Sequence, residues 1–219
     1  MRVADARSFI WQYYEIFFKR YYEFKTPQSQ PVIFDCGSNI GMSILHFKQQ
    51  YPQAQIHAFE PDPQIAAILT QNIQNADLQN IVIHEAAAWT EDTELTFAGE
   101  GADGGQISQS HHGIQVKACD LKAKMMQHER IDFMKIDIEG AETEVLPHIS
   151  SELHRVENLF VEFHSYNDQV QNLQQVLNAI PADTHRIYME NVNFKLKPFI
   201  NQKGKYGMDL QLNIFAYKQ

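Results

Sequence analysis

Val32-Ile33-Phe34-Asp35-Cys36-Gly37-Ser38-Asn39-Ile40-Gly41 is the stretch from which the fold of this chain is read. Val32 to Phe34 is an apolar run of the kind a strand buried on both faces shows. Two glycines and small polar residues break it. Met42-Ser43-Ile44-Leu45-His46-Phe47 then sets apolar residues at helical spacing. Strand, glycine turn and helix together are the first βα unit of a nucleotide-binding α/β fold. The glycines let backbone approach a ligand, and the first turn of the helix offers free N–H groups there.

The turn departs from GxGxxG. It has an acid, Asp35, at the strand end, followed by Gly37, Ser38, Asn39 and Gly41. A carboxylate would repel a pyrophosphate; it would attract a cation or accept a hydrogen bond from an ammonium group. S-adenosylmethionine (AdoMet) has both a sulfonium and an α-amino group, so the electrostatics favour AdoMet over NAD. Gln55 to Glu60 reads as a second strand ending in an acid, and Pro61-Asp62-Pro63 starts a helix with Asp62 as its cap. A carboxylate there can accept both protons of a ribose diol, which makes Glu60, with Pro61 beside it, a candidate cofactor ligand. Ile81 to Ala87 reads as a third strand. Ala86, Ala87 and Ala88 at its end leave room for a flat adenine, and Ala87 joins the candidate set.

The second informative stretch is Ile131-Asp132-Phe133-Met134-Lys135-Ile136-Asp137-Ile138-Glu139-Gly140-Ala141-Glu142. A strand ends at Asp137, Gly140 permits a sharp exit, and Glu142 and Glu144 fall near a positive helix N-terminus. Leu159 to His164 is a fifth strand with Glu162 and His164 on one face. Asn167 to Ile180 has amphipathic helical spacing that turns Val170 inward. Arg186–Met189 and Leu210–Tyr217 are terminal strands joined without a helix, hence antiparallel. The expected architecture is an α/β sheet of order 3-2-1-4-5-7-6 with only strand 7 antiparallel, as in the Rossmann-like Class I AdoMet methyltransferases. Leu95–Phe97 and Ile114–Ala118 suggest an additional hairpin around a loop with Gly99, Gly101, Gly104, Gly105, His111, His112 and Gly113. Adjacent histidines on a strand face opposite ways, which argues against a metal pair at His111-His112.

Composition bounds the function. A chain of 219 residues, 44% of them hydrophobic, suits one α/β domain with a real core. A formal net charge of -9 argues against a nucleic-acid partner. Two cysteines, Cys36 and Cys119, are too few for a disulfide framework, and a reducing, cytoplasmic compartment is the expectation. No apolar run is long enough for a transmembrane span, and the first residues do not read as a secretory signal. Residues 1–30 divide into an aromatic helix, Ala4 to Phe24, and a linker; residues 31–219 form the main domain. The helix is expected to cover a sheet edge or the cofactor mouth, with a lid, a homodimer contact or a membrane-interface role as alternatives.

Three segments together resemble the FkbM-type methyltransferases: Phe34 to Gly41, Ala58-Phe59-Glu60-Pro61-Asp62-Pro63, and Met134 to Glu142 with its KIDIEGAE core. The likeness covers about Phe34 to Ala182. It implies AdoMet-dependent O-methylation of a hydroxyl, on a glycan sugar or a polyketide-type small molecule. Such a hydroxyl is a poor nucleophile, so a general base should assist, and Asp137, Glu139, Glu162 and His164 are the candidates. A divalent metal held by Asp137 with Glu162 or His164 would be another way to acidify it. An NAD-dependent oxidoreductase and a non-catalytic AdoMet-binding module are the competing readings.

Overall fold

The computed structural model describes residues 1–98, 106–107, 113–193, 195–201 and 207–219. Helix α1 (Ala6–Tyr13) is capped by Asp5 and runs into a π-helical turn, Tyr14–Phe18. Then come β1 (Val32–Cys36), α2 (Met42–Gln50), β2 (Gln55–Phe59), α3 (Pro63–Asn75) and β3 (Ile81–His84). Asp62 caps α3 as expected, accepting from Gln64 N at 2.8 Å. A smaller sheet follows in β4 (Ala87–Trp89), β5 (Thr93–Ala98), β6 (Gln106–Ile107) and β7 (Ile114–Asp120). The chain continues through α4 (Leu121–Met125), β8 (Phe133–Ile136), α5 (Glu142–Ile149), a 3-10 turn (Ser150–Arg155), β9 (Asn158–Tyr166), α6 (Leu173–Ala179), β10 (His185–Asn191) and β11 (Met208–Lys218).

The main sheet runs β3-β2-β1-β8-β9-β11-β10. Counted within that sheet the order is 3-2-1-4-5-7-6. Only β11 is antiparallel to its neighbours, β9 and β10. This is the expected α/β architecture, with the apolar β1 flanked by β2 and β8. The hairpin is present too, with Leu95 opposite Val116. Gly99, Gly101, Gly104, Gly105, His111 and His112 lie outside the described residues. Cys36 and Cys119 are buried and free. Among the described residues no helix is long and apolar enough to cross a membrane.

Three elements differ from expectation. The third strand stops at His84, and Ala87–Trp89 pairs with β7 in the smaller sheet, where Ala87 and Ala88 are buried. The helix expected from Asn167 begins only at Leu173, because β9 remains paired to β11 as far as Tyr166. Val170 is consequently exposed. The N-terminal helix ends at Phe18 rather than Phe24, and Arg20 adopts a left-handed φ of 58° that turns the chain. Tyr22 and Phe24 then pack on the sheet, with ring centroids 4.9 Å from Phe160 and 5.0 Å from Phe133. The first thirty residues thus share an apolar cluster with Ile33, Ile44 and Phe47.

Register decides what that sheet face carries. Ile33 is level with Phe133, and Asp35 with Lys135, which is level with Phe160. Side chains alternate along a strand, so these residues share a face with Glu162 and His164 farther along β9. The face is apolar at the start of the strands and charged at their carboxyl ends. The carboxyl ends are where open α/β sheets hold ligands.

Candidate active site

Lys135 is the hub of the charged end. It is buried, and its Nζ lies 3.1 Å from Asp137 Oδ2 and 3.6 Å from Asp35 Oδ1 while donating to Gly37 O at 2.7 Å. Burial opposes its charge, but Asp137 and then Asp35 outweigh that penalty and hold its pKa above the ordinary value. Asp35 is wholly buried; its Oδ2 accepts from Ser43 Oγ at 2.5 Å. This corrects one expectation. Asp35 lies behind the cavity lining, so its carboxylate acts on the turn through Lys135 and Ser43 instead of meeting a ligand's ammonium directly.

The glycine turn is fixed from two sides. Gly37 and Ser38 donate their N–H groups to Phe59 O at 3.1 and 2.9 Å, tying the turn to β2. Gly37 has φ +84°, and a Cβ there would fall 1.8 Å from Asp137 O, so no other residue fits. Asn39 N donates to Glu60 Oε2 at 2.9 Å, and Asp62 N to Glu60 Oε1 at 3.0 Å. Burial raises the Glu60 carboxyl to about 7, against the pull of these two N–H groups. Gly37, Ser38, Asn39, Glu60, Pro61 and Ala87 all line one cavity; Gly41 starts α2 behind it.

Asp137, Glu139 and Glu162 line the same cavity, with the Asp137 carbonyl against Gly37. Glu139 has a left-handed φ of 54°, an uncommon conformation for its residue type, and its Oε2 accepts from Tyr166 Oη at 3.3 Å. Behind them His164 is 4% exposed and encircled by carboxylates. Its Nδ1 lies 3.3 Å from Glu142 Oε1, and its Nε2 is 3.7 Å from both Glu139 Oε2 and Glu162 Oε1. Burial disfavours the imidazolium, but Glu142 first, then Glu139 and Glu162, raise its pKa well above the usual value. That favours the charged form of His164 and argues against it as the base. Glu139 is pushed up to about 8 and Glu162 to about 7, in both cases mainly by burial. The Glu162 carboxylate also accepts from Gln211 on β11.

Asp137, Glu139 and His164 can bring one ligand atom each within 4.8 Å of one another. The expected metal set had Glu162 in place of Glu139. Lys135 and the His164 imidazolium already supply cationic charge to this group.

Two residues escaped the sequence reading. In the sequence Lys135 is a single charged residue within an apolar strand; only its register opposite Asp35 reveals the ion pair. Glu142 looked like a helix-dipole acid. It folds back to accept from Ile138 N at 3.0 Å and Gly140 N at 3.0 Å, which shapes the loop that presents Glu139. Its spacing of four residues from Ile138 across a glycine was the available signal.

Comparison with known proteins finds methyltransferases. Methyltransferase 1 of Beauveria bassiana is 29% identical over 175 residues, 68% of this chain and 70% of that protein. The 2-O-methyltransferase NoeI of Sinorhizobium fredii is 25% identical over 177 residues, 69% and 72% of the two chains. The crystal structure of a methyltransferase FkbM from Methylobacillus flagellatus superposes with a TM-score of 0.58 at 15% identity, over 92% of this chain. The chain spans 47% of that longer protein. The Methyltransferase FkbM domain model matches residues 35–196, and the chain belongs to that family.

Proposed function

We propose that this protein transfers a methyl group from AdoMet to a hydroxyl of a small-molecule or glycan acceptor. The observation that carries this reading is one cavity lined both by the Gly37–Asn39 turn with Glu60 and by Asp137, Glu139 and Glu162. The residues fit AdoMet. Each Glu60 oxygen keeps a second lone pair for a ribose hydroxyl beyond its backbone N–H bond. Ala87, Ala88 and Phe97 give a small, flat apolar wall for adenine. When bound, AdoMet supplies an electrophilic methyl on a sulfonium, and the acids lining the cavity suit that positive charge. The protein's own part is to hold the acceptor oxygen in line and to take its proton. Glu139 is our choice for the proton acceptor: its strained backbone aims it at the cavity, and its pKa of about 8 is near working pH. The name of the NoeI relative supports oxygen as the methylated atom. The family match leaves the NAD-dependent alternative without support.

The test is transfer of labelled methyl from AdoMet to a glycan and metabolite extract. Absence of transfer, with AdoMet bound, would favour the non-catalytic binding module. In the same assay we expect EDTA to leave turnover unchanged, because Lys135 and His164 already lie against the carboxyl groups of the candidate metal set. Loss of activity in EDTA with recovery in Mg²⁺ or Mn²⁺ would instead assign a metal to Asp137 and its neighbours. Glu60→Ala should weaken AdoMet binding by about 1–3 kcal/mol, the range for a lost charge-assisted hydrogen bond. Calorimetry showing unaltered affinity would remove Glu60 from the site.

A further inference from the structure

Six acids among the described residues line the cavity, and of these Glu15 alone comes from outside residues 35–196. It sits on the π-helical turn, which brings Glu15 and Ile16 to the cavity wall beside Trp11 and Gln12. The other five have partners. Glu60 and Asp62 accept backbone N–H groups, Asp137 faces Lys135, Glu139 accepts from Tyr166, and Glu162 from Gln211. Glu15 is 8% exposed, and its Oε1 is buried with no hydrogen-bond partner among the described residues. A buried oxygen left so costs stability unless a ligand satisfies it. Burial first, and then the Glu162 and Asp137 carboxylates, raise its pKa to about 8. Glu15 thus lines the same cavity as Asp137, Glu139 and Glu162.

We propose that Glu15 selects the acceptor: it accepts a hydrogen bond from a hydroxyl or amine of the acceptor and, with Asp137, Glu139 and Glu162, closes the site to anionic acceptors. This rests on the methyl-transfer reading above. Above the raised pKa values of Glu15, Glu139 and Glu162 these groups and Asp137 are four carboxylates on one cavity wall; there they would repel a carboxylate or phosphate, whereas a neutral polyol or an amine supplies a donor to Glu15.

The experiment compares three matched acceptors at about pH 9, above the raised pKa values of Glu15, Glu139 and Glu162: a neutral methyl hexopyranoside, its 2-amino-2-deoxy counterpart and the corresponding hexuronate, each with labelled AdoMet. The first two should be methylated, and the uronate should have a kcat/KM at least about 100-fold lower. Glu15→Gln should raise the acceptor KM about 10–100-fold, with a smaller change in kcat and unchanged AdoMet affinity. It should also narrow the gap to the uronate. Equal use of the uronate, no methylation of any of the three while AdoMet binds, or an E15Q variant with unaltered acceptor KM would overturn the proposal. Weakened AdoMet affinity in E15Q would place Glu15 on the cofactor and equally overturn it. Failure of the wild-type protein to bind AdoMet would instead overturn the underlying methyl-transfer reading.

Discussion

Lys135→Met should destabilise the fold by about 3–5 kcal/mol, the range for stripping one partner from a buried ion pair. The reasoning runs from register to energy. Lys135 stands level with Asp35 in the neighbouring strand, and both side chains are almost wholly out of water. Its removal leaves the Asp35 carboxylate buried with only Ser43 as a side-chain donor. It also frees Asp137 and removes the donor to Gly37 O, so the glycine turn loses its tie to β8. Denaturant melts would read the loss as a lower midpoint at constant slope. Asp35→Asn in the Lys135→Met background should recover part of it, because the uncompensated charge is gone; a double-mutant cycle measures that coupling. A Lys135→Met protein within about 1 kcal/mol of the parent would show the pair to be structurally idle.

The same pair shows where the sequence stops being readable. Strand order was legible because each core strand is an apolar run closed by a glycine turn, a proline or an acid, and because the last two strands have no helix between them. The cofactor turn was legible for the same local reason. Lys135 was not: a lone lysine in a strand is usually a solvated face, and only pairing with Asp35 gives it meaning. His164 was placed correctly on the face of Glu162, yet its charge state depends on Glu142, which belongs to another element. The N-terminal segment was the hardest, since aromatics on every side of a helical pattern give no inward face. A π-helical turn and a left-handed Arg20 decide it, and neither has a strong local signature.

Glu139→Gln should lower kcat by about 10²–10⁴-fold, the span expected when a general base is lost, while AdoMet affinity stays within a factor of about two. The carboxyl must be ionised to take the acceptor's proton. With Glu139 raised to about 8, kcat/KM of the parent should therefore climb with pH and level off above that value. In Glu139→Gln the residual activity should lose this limb. His164 supplies a second reading of the same group. Its positive charge favours the ionised form of Glu139, so His164→Gln should move the limb to higher pH without abolishing turnover at the plateau. A base at His164 predicts the reverse, with turnover lost at every pH. If Glu139→Gln keeps kcat within about threefold and the limb stays in place, the proton acceptor is another carboxyl. Glu162, raised to about 7 on the same cavity wall, would then be tested first, because its limb would fall lower on the pH axis.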